Sequence, residues 1–381
     1  MNEAASPDHG ARLLAEIVHV DLGMRSYDIH VGPGELAQLG ERLGAISSGA
    51  RIAVVADATA DRLHGQALRD GLGSTPLLTT VKVSPGEASK CFAELERVCQ
   101  ELLTARLERG DMVVAFGGGV VGDLAGFAAA IVHRGVRYVQ VPTTLLAQVD
   151  SAVGGKTGID TAQGKNLIGA FHQPSLVVSD TRLLDTLEPR DFRSGYAEVA
   201  KYGLIDDPAL FAWLEGAWRE VIAGGPERMR AIAASCRAKA RIVAADEREQ
   251  GQRALLNLGH TFAHALETAT GMSDRLTHGE AVALGMVLAF GFSAETGYCS
   301  YDAEYRVARH LAAAGLPVRL SQIPGELPGA DGLVDLMLHD KKVSRGALNL
   351  VLAEGVGRAF IARDIPTDRV HAFLAQRLAE E

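Results

Sequence analysis

The chain has 381 residues, of which 47% are hydrophobic and 22% are charged, and its formal net charge is −9. This composition excludes a disordered, collagen-like or coiled-coil protein, and the length predicts two domains. No run rich in lysine and arginine is present, so we expect no nucleic-acid partner. The four cysteines form no C-x-x-C motif, so neither a disulfide framework nor a thiolate zinc site is predicted.

The sequence has neither a secretion signal nor a membrane anchor that we can identify. Residues 1–10 are polar and lack the apolar stretch of a signal peptide. The longest uncharged apolar run, residues 281–294, is shorter than the roughly 20 residues that span a bilayer. We therefore expect a cytoplasmic protein with no membrane partner.

Short β-branched segments alternate with helical stretches in the first half of the chain. The predicted strands are residues 51–56, 112–116, 138–141 and 176–179. Such alternation is typical of a parallel sheet with helices on both faces. After about residue 185 the apolar period becomes helical. The sequence therefore predicts an α/β domain over residues 1–184 and a mostly α-helical domain over residues 185–381, with a ligand in the cleft between them.

A glycine-rich segment, G-G-G-V-V-G at residues 117–122, follows one predicted strand and precedes a helix predicted over residues 123–130. It contains G-x-G-x-x-G, whose backbone can approach a pyrophosphate at a helix N-terminus. A tight strand-to-helix turn is the alternative. The usual dinucleotide fingerprint has an acid about twenty residues further on; here that acid is missing, whereas Asp57 ends an earlier strand. A dinucleotide bound here would therefore use an unusual arrangement.

Two Gly-Lys pairs, at Lys156 and Lys165, lie in a polar stretch between residues 143 and 166. Small neighbours expose backbone N–H groups beside each ammonium, which suits phosphate binding. A solvated turn is the alternative for each lysine. A Walker A motif is excluded because Asp150 stands where its first glycine is required.

A candidate metal site is indicated by histidines in the second half. His260 and His264 are four residues apart and share one helix face, His278 begins a later predicted helix, and Glu198 stands three residues before Lys201 on an earlier one. Nitrogen ligands with one carboxylate suit a catalytic zinc site with an open position, although each histidine alone could be structural. The spacing leaves open which three of the four candidate ligands bind the metal; the candidates are Glu198, His260, His264 and His278. No H-E-x-x-H motif is present, so a zincin protease is not indicated.

A second polar cluster precedes the histidines and comprises Lys239, Glu249, Arg253 and Asn257. Steps of four and three residues connect Arg253, Asn257, His260 and His264, so we predict one helical stripe, that is, one helix face that carries all four. The Arg253 guanidinium on this face would bind a carboxylate or a phosphate. A surface pair between Arg253 and Glu249 is the alternative. Lys341, in D-K-K at residues 340–342, is either a further anion contact or part of a solvated turn.

Several segments together resemble one family, the 3-dehydroquinate synthases, which belong to the sugar-phosphate cyclases. The segments that carry the resemblance are GGGVVGDLAGFAAA (117–130), RGVRYVQVPTTLLAQVDSAVGGKTGID (134–160), GKNLIGAF (164–171), FRSGYAEVAKYGLI (192–205), LLNLGHTFAHALE (255–267), HGEAVALGM (278–286) and DKK (340–342). The resemblance implies an N-terminal NAD-binding α/β domain and a C-terminal α-helical domain with zinc in the cleft, usually as a homodimer. Cobalt is an alternative to zinc, since both accept similar ligands.

The resemblance also implies a reaction. It is the conversion of 3-deoxy-D-arabino-heptulosonate 7-phosphate to 3-dehydroquinate and phosphate in the shikimate pathway, with NAD consumed and regenerated in each turnover. Two alternatives are a cyclase that forms 2-epi-5-epi-valiolone or 2-deoxy-scyllo-inosose, and a metal-dependent polyol dehydrogenase that releases NADH. A non-catalytic NAD-binding module is a third alternative. One departure from the family pattern is Tyr196, which is bulkier than expected.

Roles for individual residues follow from the same resemblance. Glu198, His260 and His278 would bind the metal, and Glu249 would be a general acid or base, with Lys201 and His264 also catalytic. The phosphate would be bound by Lys156, Asn166, Lys201, Asn257 and His264. The carboxylate end of the substrate would face Lys239, Arg253 and Lys341. Arg134 would reach the active site of the neighbouring subunit.

The resemblance places the NAD contacts in the first half of the chain. They would be Asp57, Glu87, Lys90, Gly117, Gly118, Gly119, Asp123, Thr143 and Thr144. Asp57 and Glu87 would account for the missing acid after the glycines. The residues around the nicotinamide would be Asp150, Lys156 and Lys165.

Overall fold

A computed structural model describes residues 15–338 and 348–380 of the chain. Its strands are β1 (Glu16–Val20), β2 (Tyr27–Gly32), β3 (Ile52–Asp57), β4 (Leu77–Val83), β5 (Met112–Gly117), β6 (Arg137–Pro142), β7 (Lys156–Thr161), β8 (Gly164–Phe171), β9 (Leu176–Asp180), β10 (Leu348–Ala353) and β11 (Ala359–Ile365). Its helices are α1 (Leu39–Ile46), α2 (Ala58–Leu72), α3 (Phe92–Thr104), α4 (Gly119–Ile131), α5 (Pro189–Ile205), α6 (Pro208–Ala223), α7 (Pro226–Ala245), α8 (His260–Ala269), α9 (His278–Glu295), α10 (Tyr301–Ala313), α11 (Ala330–Leu338) and α12 (Thr367–Glu380).

Seven strands form one sheet in the order β1-β2-β9-β6-β5-β3-β4, and all neighbours are parallel except β1 and β2. The central strand β5 is buried along its whole length. Its Val113 packs in one apolar cluster with α3 and α4, whereas Val114 packs in another with α1 and α2. A strand covered on both faces needs a continuous apolar run rather than an alternating one. The predicted parallel α/β sheet is confirmed.

Three neighbouring strands end at one edge of the sheet, and this edge carries the glycine-rich segment. β3 ends at Asp57, β5 at Gly117 and β6 at Pro142, with Gly117 and Pro142 directly paired. Helix α4 begins at Gly119, four residues earlier than predicted. The glycines allow this start because side chains at the same positions would collide with neighbouring residues. The edge therefore combines a helix N-terminus with the ends of parallel strands.

The second half of the described chain is mostly helical, as predicted, with the hairpin β10–β11 as its strand element. Asp207 caps α6 as expected, since its side chain accepts from the Leu210 backbone N–H at 2.9 Å. The predicted start of α9 is also confirmed, because Glu280 accepts from the Thr277 backbone N–H at 2.8 Å. None of the helices in the described ranges combines the length and the apolar character that a bilayer crossing requires.

A buried histidine in this half is expected to make the stability of the fold depend on pH. His310 lies among aromatic rings, with its Nε2 3.1 Å from the Tyr196 hydroxyl, and burial lowers its pKa to about 4. Tyr196, the bulky departure from the family pattern, is fully buried in this contact. Because the unfolded chain binds a proton near pH 6.5 and the folded chain does not, acid favours unfolding over this interval.

We expect His310 to contribute stability that is complete above about pH 6.5 and is lost as the pH falls toward 4. The shift corresponds to roughly 3 kcal/mol. The free energy of unfolding, measured with denaturant and plotted against pH, should give curves for the wild type and His310→Asn that approach each other by about this amount as the pH falls from 6.5 to 4. The control is His371→Asn on α12, where the half-exposed ring is 3.0 Å from the exposed carboxylate of Asp331; an exposed pair of this kind contributes little to stability, so its curve should stay close to parallel to that of the wild type. Parallel curves for His310→Asn would contradict the assignment.

Candidate metal and dinucleotide site

Three helices bring Glu198, His260 and His278 together. One ligand atom from each residue lies within 4.8 Å of the other two. The Nε2 atoms of His260 and His278 are each 3.6 Å from Oε1 of Glu198, whose side chain is fully buried on α5. Such spacing allows one ion to be bound by all three residues. The structure thus groups the three residues that the resemblance named as metal ligands.

Two glycines allow these helices to approach so closely. Gly259, just before α8, has φ +80° and lies against α9, where an added Cβ would be 2.6 Å from the Met286 backbone nitrogen. Gly279, next to His278, lies against α5, where an added Cβ would be 1.9 Å from the Ser194 carbonyl oxygen. Larger residues would separate the helices, and the three candidate ligands would then no longer meet.

The chemistry of the site fits a divalent cation. Neither carboxylate oxygen of Glu198 accepts a hydrogen bond from a described residue, although the Lys201 ammonium lies against Oε2. A buried carboxylate is costly unless cations compensate it, and Lys201 reaches only Oε2, which leaves Oε1 for a further cation. Burial would lower the pKa of His278, but the carboxylates of Glu198 and Glu267 raise it to about 10. The pocket therefore favours positive charge, and its two nitrogens and one carboxylate are donors that Zn²⁺ and Co²⁺ accept.

The glycine-rich edge of the sheet fits a dinucleotide. A Cβ added at Gly117 would lie 3.0 Å from Asp57, one added at Gly118 would lie 3.2 Å from Thr144, and one added at Gly119 would lie 2.9 Å from Ser151. Helix α4 begins here without a side-chain cap, and Thr143 donates its backbone N–H to the Gly117 carbonyl at 2.9 Å. Bare backbone at a helix N-terminus is suited to a pyrophosphate. Asp57 caps α2 beside it, accepting from the backbone N–H groups of two residues.

A buried lysine connects several of the predicted NAD contacts. The Lys90 ammonium donates to Asp123 at 2.9 Å and to the Asn166 side-chain oxygen at 2.5 Å, and it lies 3.5 Å from Glu87. Burial raises the pKa of Asp123, although the neighbouring ammonium of Lys90 opposes this. Asn166, expected at the substrate phosphate, is thus bound through its oxygen to Lys90, a predicted NAD contact.

Asp150 lies where the two halves of the chain meet. Its carboxylate is 2.8 Å from the Lys239 ammonium and accepts from the Tyr202 hydroxyl at 2.8 Å. Lys239 also donates to the Asp150 carbonyl at 2.6 Å. Burial alone would raise the pKa of Asp150, but the ammonium groups of Lys239 and Lys201 lower it well below its usual value. Asp150 is therefore an ionised carboxylate held between α5 and α7.

A second ion pair joins Lys156 of β7 to Glu249, which stands between α7 and α8. Asn257 donates to the other oxygen of the same carboxylate at 3.2 Å. Burial would raise the pKa of Glu249, but Lys156 and Asn257 lower it below its usual value. The group predicted to act as acid or base is therefore ionised in this arrangement and can accept a proton.

Comparison with known proteins identifies the family. The model of the 3-dehydroquinate synthase N-terminal region matches residues 80–194, and the model of the C-terminal region matches residues 195–343. A curated 3-dehydroquinate synthase of Brucella ovis is 57% identical over 368 residues, which cover 95% of this chain and 96% of that protein. The chain belongs to the 3-dehydroquinate synthase family.

Solved structures agree with this family fold. A 2-epi-5-epi-valiolone synthase from Streptomyces hygroscopicus subsp. jinggangensis, with NAD⁺ and Zn²⁺ bound, is 27% identical and has a TM-score of 0.84, covering 93% of this chain and 97% of its own. A 2-deoxy-scyllo-inosose synthase, complexed with carbaglucose-6-phosphate, NAD⁺ and Co²⁺, is 22% identical and has a TM-score of 0.85. It covers 95% of this chain and 100% of its own, and at this identity it shows the fold alone.

The predicted helical stripe from Arg253 to His264 is wrong. Residues Gln252–Asn257 form a short 3₁₀ helix, and α8 begins only at His260. The break is at Gly259, whose left-handed conformation turns the chain and separates the two segments. The alternative of a surface pair is wrong as well, because Arg253 is 1% exposed and donates to the backbone carbonyls of Gly154 and Glu247.

The remaining site residues of this 3-dehydroquinate synthase family member lie at different distances from the triad. The His264 ring stands 5.6 Å from the His260 ring, outside the triad of ligand atoms. Lys341 lies outside the described residues.

Two residues were missed by the sequence analysis. Tyr202, which binds Asp150, directly follows Lys201, and Glu267, which contacts His278, stands seven residues after His260 on the same helix face.

Proposed function

We propose that the chain converts 3-deoxy-D-arabino-heptulosonate 7-phosphate to 3-dehydroquinate and phosphate, as a carbon-oxygen lyase of the shikimate pathway. The observation that carries this function is the 57% identity, over 95% of the chain, to a 3-dehydroquinate synthase. A valiolone-type cyclase is not favoured, since the 2-epi-5-epi-valiolone synthase is only 27% identical. A polyol dehydrogenase has no need of the lysines that line the cleft.

The cofactors are NAD and a divalent metal ion, either Zn²⁺ or Co²⁺. Glu198, His260 and His278 would hold the metal, and the glycine-rich edge with Asp57, Lys90 and Asp123 would hold NAD. When bound, NAD takes up and returns a hydride and the metal ion polarises the reacting oxygens of the substrate. The donor set of the triad and the bare backbone of the glycine loop support this placement.

The cleft residues would handle the proton and the departing phosphate. Loss of phosphate requires a proton to leave the neighbouring carbon, and the ionised carboxylate of Glu249 can accept it. Lys156 and Lys201, with His264 and the amides of Asn166 and Asn257, would hold the negative charge that develops on the leaving phosphate. Lys239, Arg253 and Lys341 would stand toward the substrate carboxylate. These roles rest on the family pattern together with the contacts described above.

An assay of phosphate release tests this function directly. With metal-loaded protein and NAD, the heptulosonate phosphate should release phosphate without net accumulation of NADH, because the hydride returns to the product. Sedoheptulose 7-phosphate, which lacks the carboxylate, should react at least about 100-fold more slowly, since it offers no carboxylate to the cationic side chains of Lys239 and Arg253. The reverse order would move the assignment to a valiolone-type cyclase. Accumulating NADH would instead indicate a dehydrogenase.

We also propose a homodimer in which Arg134 reaches the neighbouring active site. Arg134 is exposed on the turn that follows α4 and has φ +63°. Large apolar side chains are exposed on α4 and on the adjacent hairpin β7–β8: Ile131 is 46% exposed, Leu167 43% and Phe171 48%. Such an apolar surface is typical of a subunit interface, and a second copy of the chain would cover it.

We propose that the α/β domain spans residues 1–184 and the α-helical domain residues 185–381. The last strand of the seven-stranded sheet, β9, ends at Asp180, and the first long helix of the second half begins at Pro189. We further propose the cytoplasm as the compartment. There, thiols such as the four free cysteines stay reduced.

A further inference from the structure

A buried carboxylate outside the metal triad contacts one of its histidines. Glu267 lies on α8, two turns beyond His260, and is 4% exposed. Its Oε1 atom is 3.5 Å from Nδ1 of His278. On the other side of the same ring, Nε2 is 3.6 Å from Glu198. The His278 ring is thus held between two carboxylates, one of which belongs to the triad.

The same oxygen of Glu267 also meets a lysine from the first half of the chain. Lys165, on β8, places its ammonium 3.3 Å from Oε1 of Glu267. The hairpin β7–β8 that carries Lys165 also carries Lys156, which pairs with Glu249. Glu267 is therefore fixed from outside α8, and its contact with His278 depends on the position of this hairpin.

A histidine that binds a metal through Nε2 keeps its proton on Nδ1, and an acceptor at Nδ1 fixes both the tautomer and the ring orientation. Water and backbone carbonyls can serve as this acceptor, but a buried carboxylate also makes the ring a stronger ligand. In this chain the carboxylate comes from the same helix as the second histidine ligand. One helix would therefore supply a metal ligand and orient another.

We propose that Glu267 is a positioning residue that holds His278 in the metal-binding tautomer, and that Lys165 holds Glu267 in place. This inference rests on the proposed metal site. It adds that the hairpin β7–β8 influences metal affinity without itself binding the metal. Lys165, a predicted NAD contact, would then connect the NAD site to the metal site through its ion pair with Glu267.

The test is the metal affinity of Glu267→Gln, measured as the Kd for Co²⁺ by competition with a chelator. We expect the Kd to rise about 10- to 100-fold, and the visible absorption spectrum of bound Co²⁺ to change because the His278 ring is no longer fixed. The matched control is Glu304→Gln on α10, which removes a partly buried carboxylate paired with Arg377 at 2.7 Å, remote from the triad. It should keep the wild-type Kd and spectrum.

A second variant guards against misfolding of Glu267→Gln. Lys165→Gln changes a partly exposed side chain and should raise the Kd for Co²⁺ in the same direction by a smaller factor. A wild-type Kd and spectrum in folded Glu267→Gln, or in Lys165→Gln if the first variant does not fold, would overturn the inference. Failure of the proposed metal site itself would look different, because the wild type would then bind no stoichiometric Co²⁺.

Discussion

Replacing Glu198 with glutamine is expected to abolish tight metal binding and to lower kcat/KM by about 1000-fold. A neutral amide is a much weaker ligand for a divalent cation than a carboxylate, and that factor corresponds to about 4 kcal/mol of transition-state stabilisation. The measurements are the metal content per chain after gel filtration and the rate of phosphate release from the heptulosonate substrate. Retention of one equivalent of metal with full turnover would show that Glu198 is not a ligand.

A matched variant separates metal loss from damage to the fold. The Lys201 ammonium lies against the buried Glu198 carboxylate, and removing one partner of a buried pair costs about 3–5 kcal/mol. Glu198→Gln should therefore also lower the free energy of unfolding of the metal-free protein. His260→Gln keeps this pair intact, so it should lose metal and activity with little change in metal-free stability. Equal stability losses in both variants would argue against the pair.

The sequence identified the members of the metal site but could not choose among them. His260 and His264 have helical spacing, and spacing alone treats them as equivalent. The choice depends on where α5 and α9 pack against α8. That packing is permitted by Gly259 and Gly279, whose close contacts are with residues far away in the sequence. Only the resemblance to a family selected the three residues that the structure brings together.

The failed prediction of a helical stripe has a related cause. Periodicity assumes that a helix continues through its window, and the left-handed conformation of Gly259 breaks it between Asn257 and His260. The ion pair between Lys156 and Glu249 likewise has no local signal, since the two residues belong to different halves of the chain. The parallel sheet was predictable because its buried strands are continuous apolar runs that need no knowledge of their neighbours.

Replacing Arg134 with alanine is expected to lower kcat/KM by about 100-fold or more while leaving metal binding unchanged. Truncating one partner of a buried charge pair costs about 2–5 kcal/mol, and the substrate would lose such a partner. Arg134 is exposed in the single chain and forms no ion pair among the described residues, so its loss should not destabilise the subunit. Titration with Co²⁺ and unfolding curves would establish that the variant is intact.

Complementation then decides whether the arginine acts across the subunit interface. In a dimer that combines one Arg134→Ala subunit with one His278→Gln subunit, one of the two active sites has an intact triad and receives the partner's intact arginine. Random assembly during co-expression makes half of the dimers mixed, so activity should recover to about one quarter of the wild type. If Arg134 acted within its own subunit, no mixed dimer would contain an intact site, and the activity would stay at the level of the separate variants.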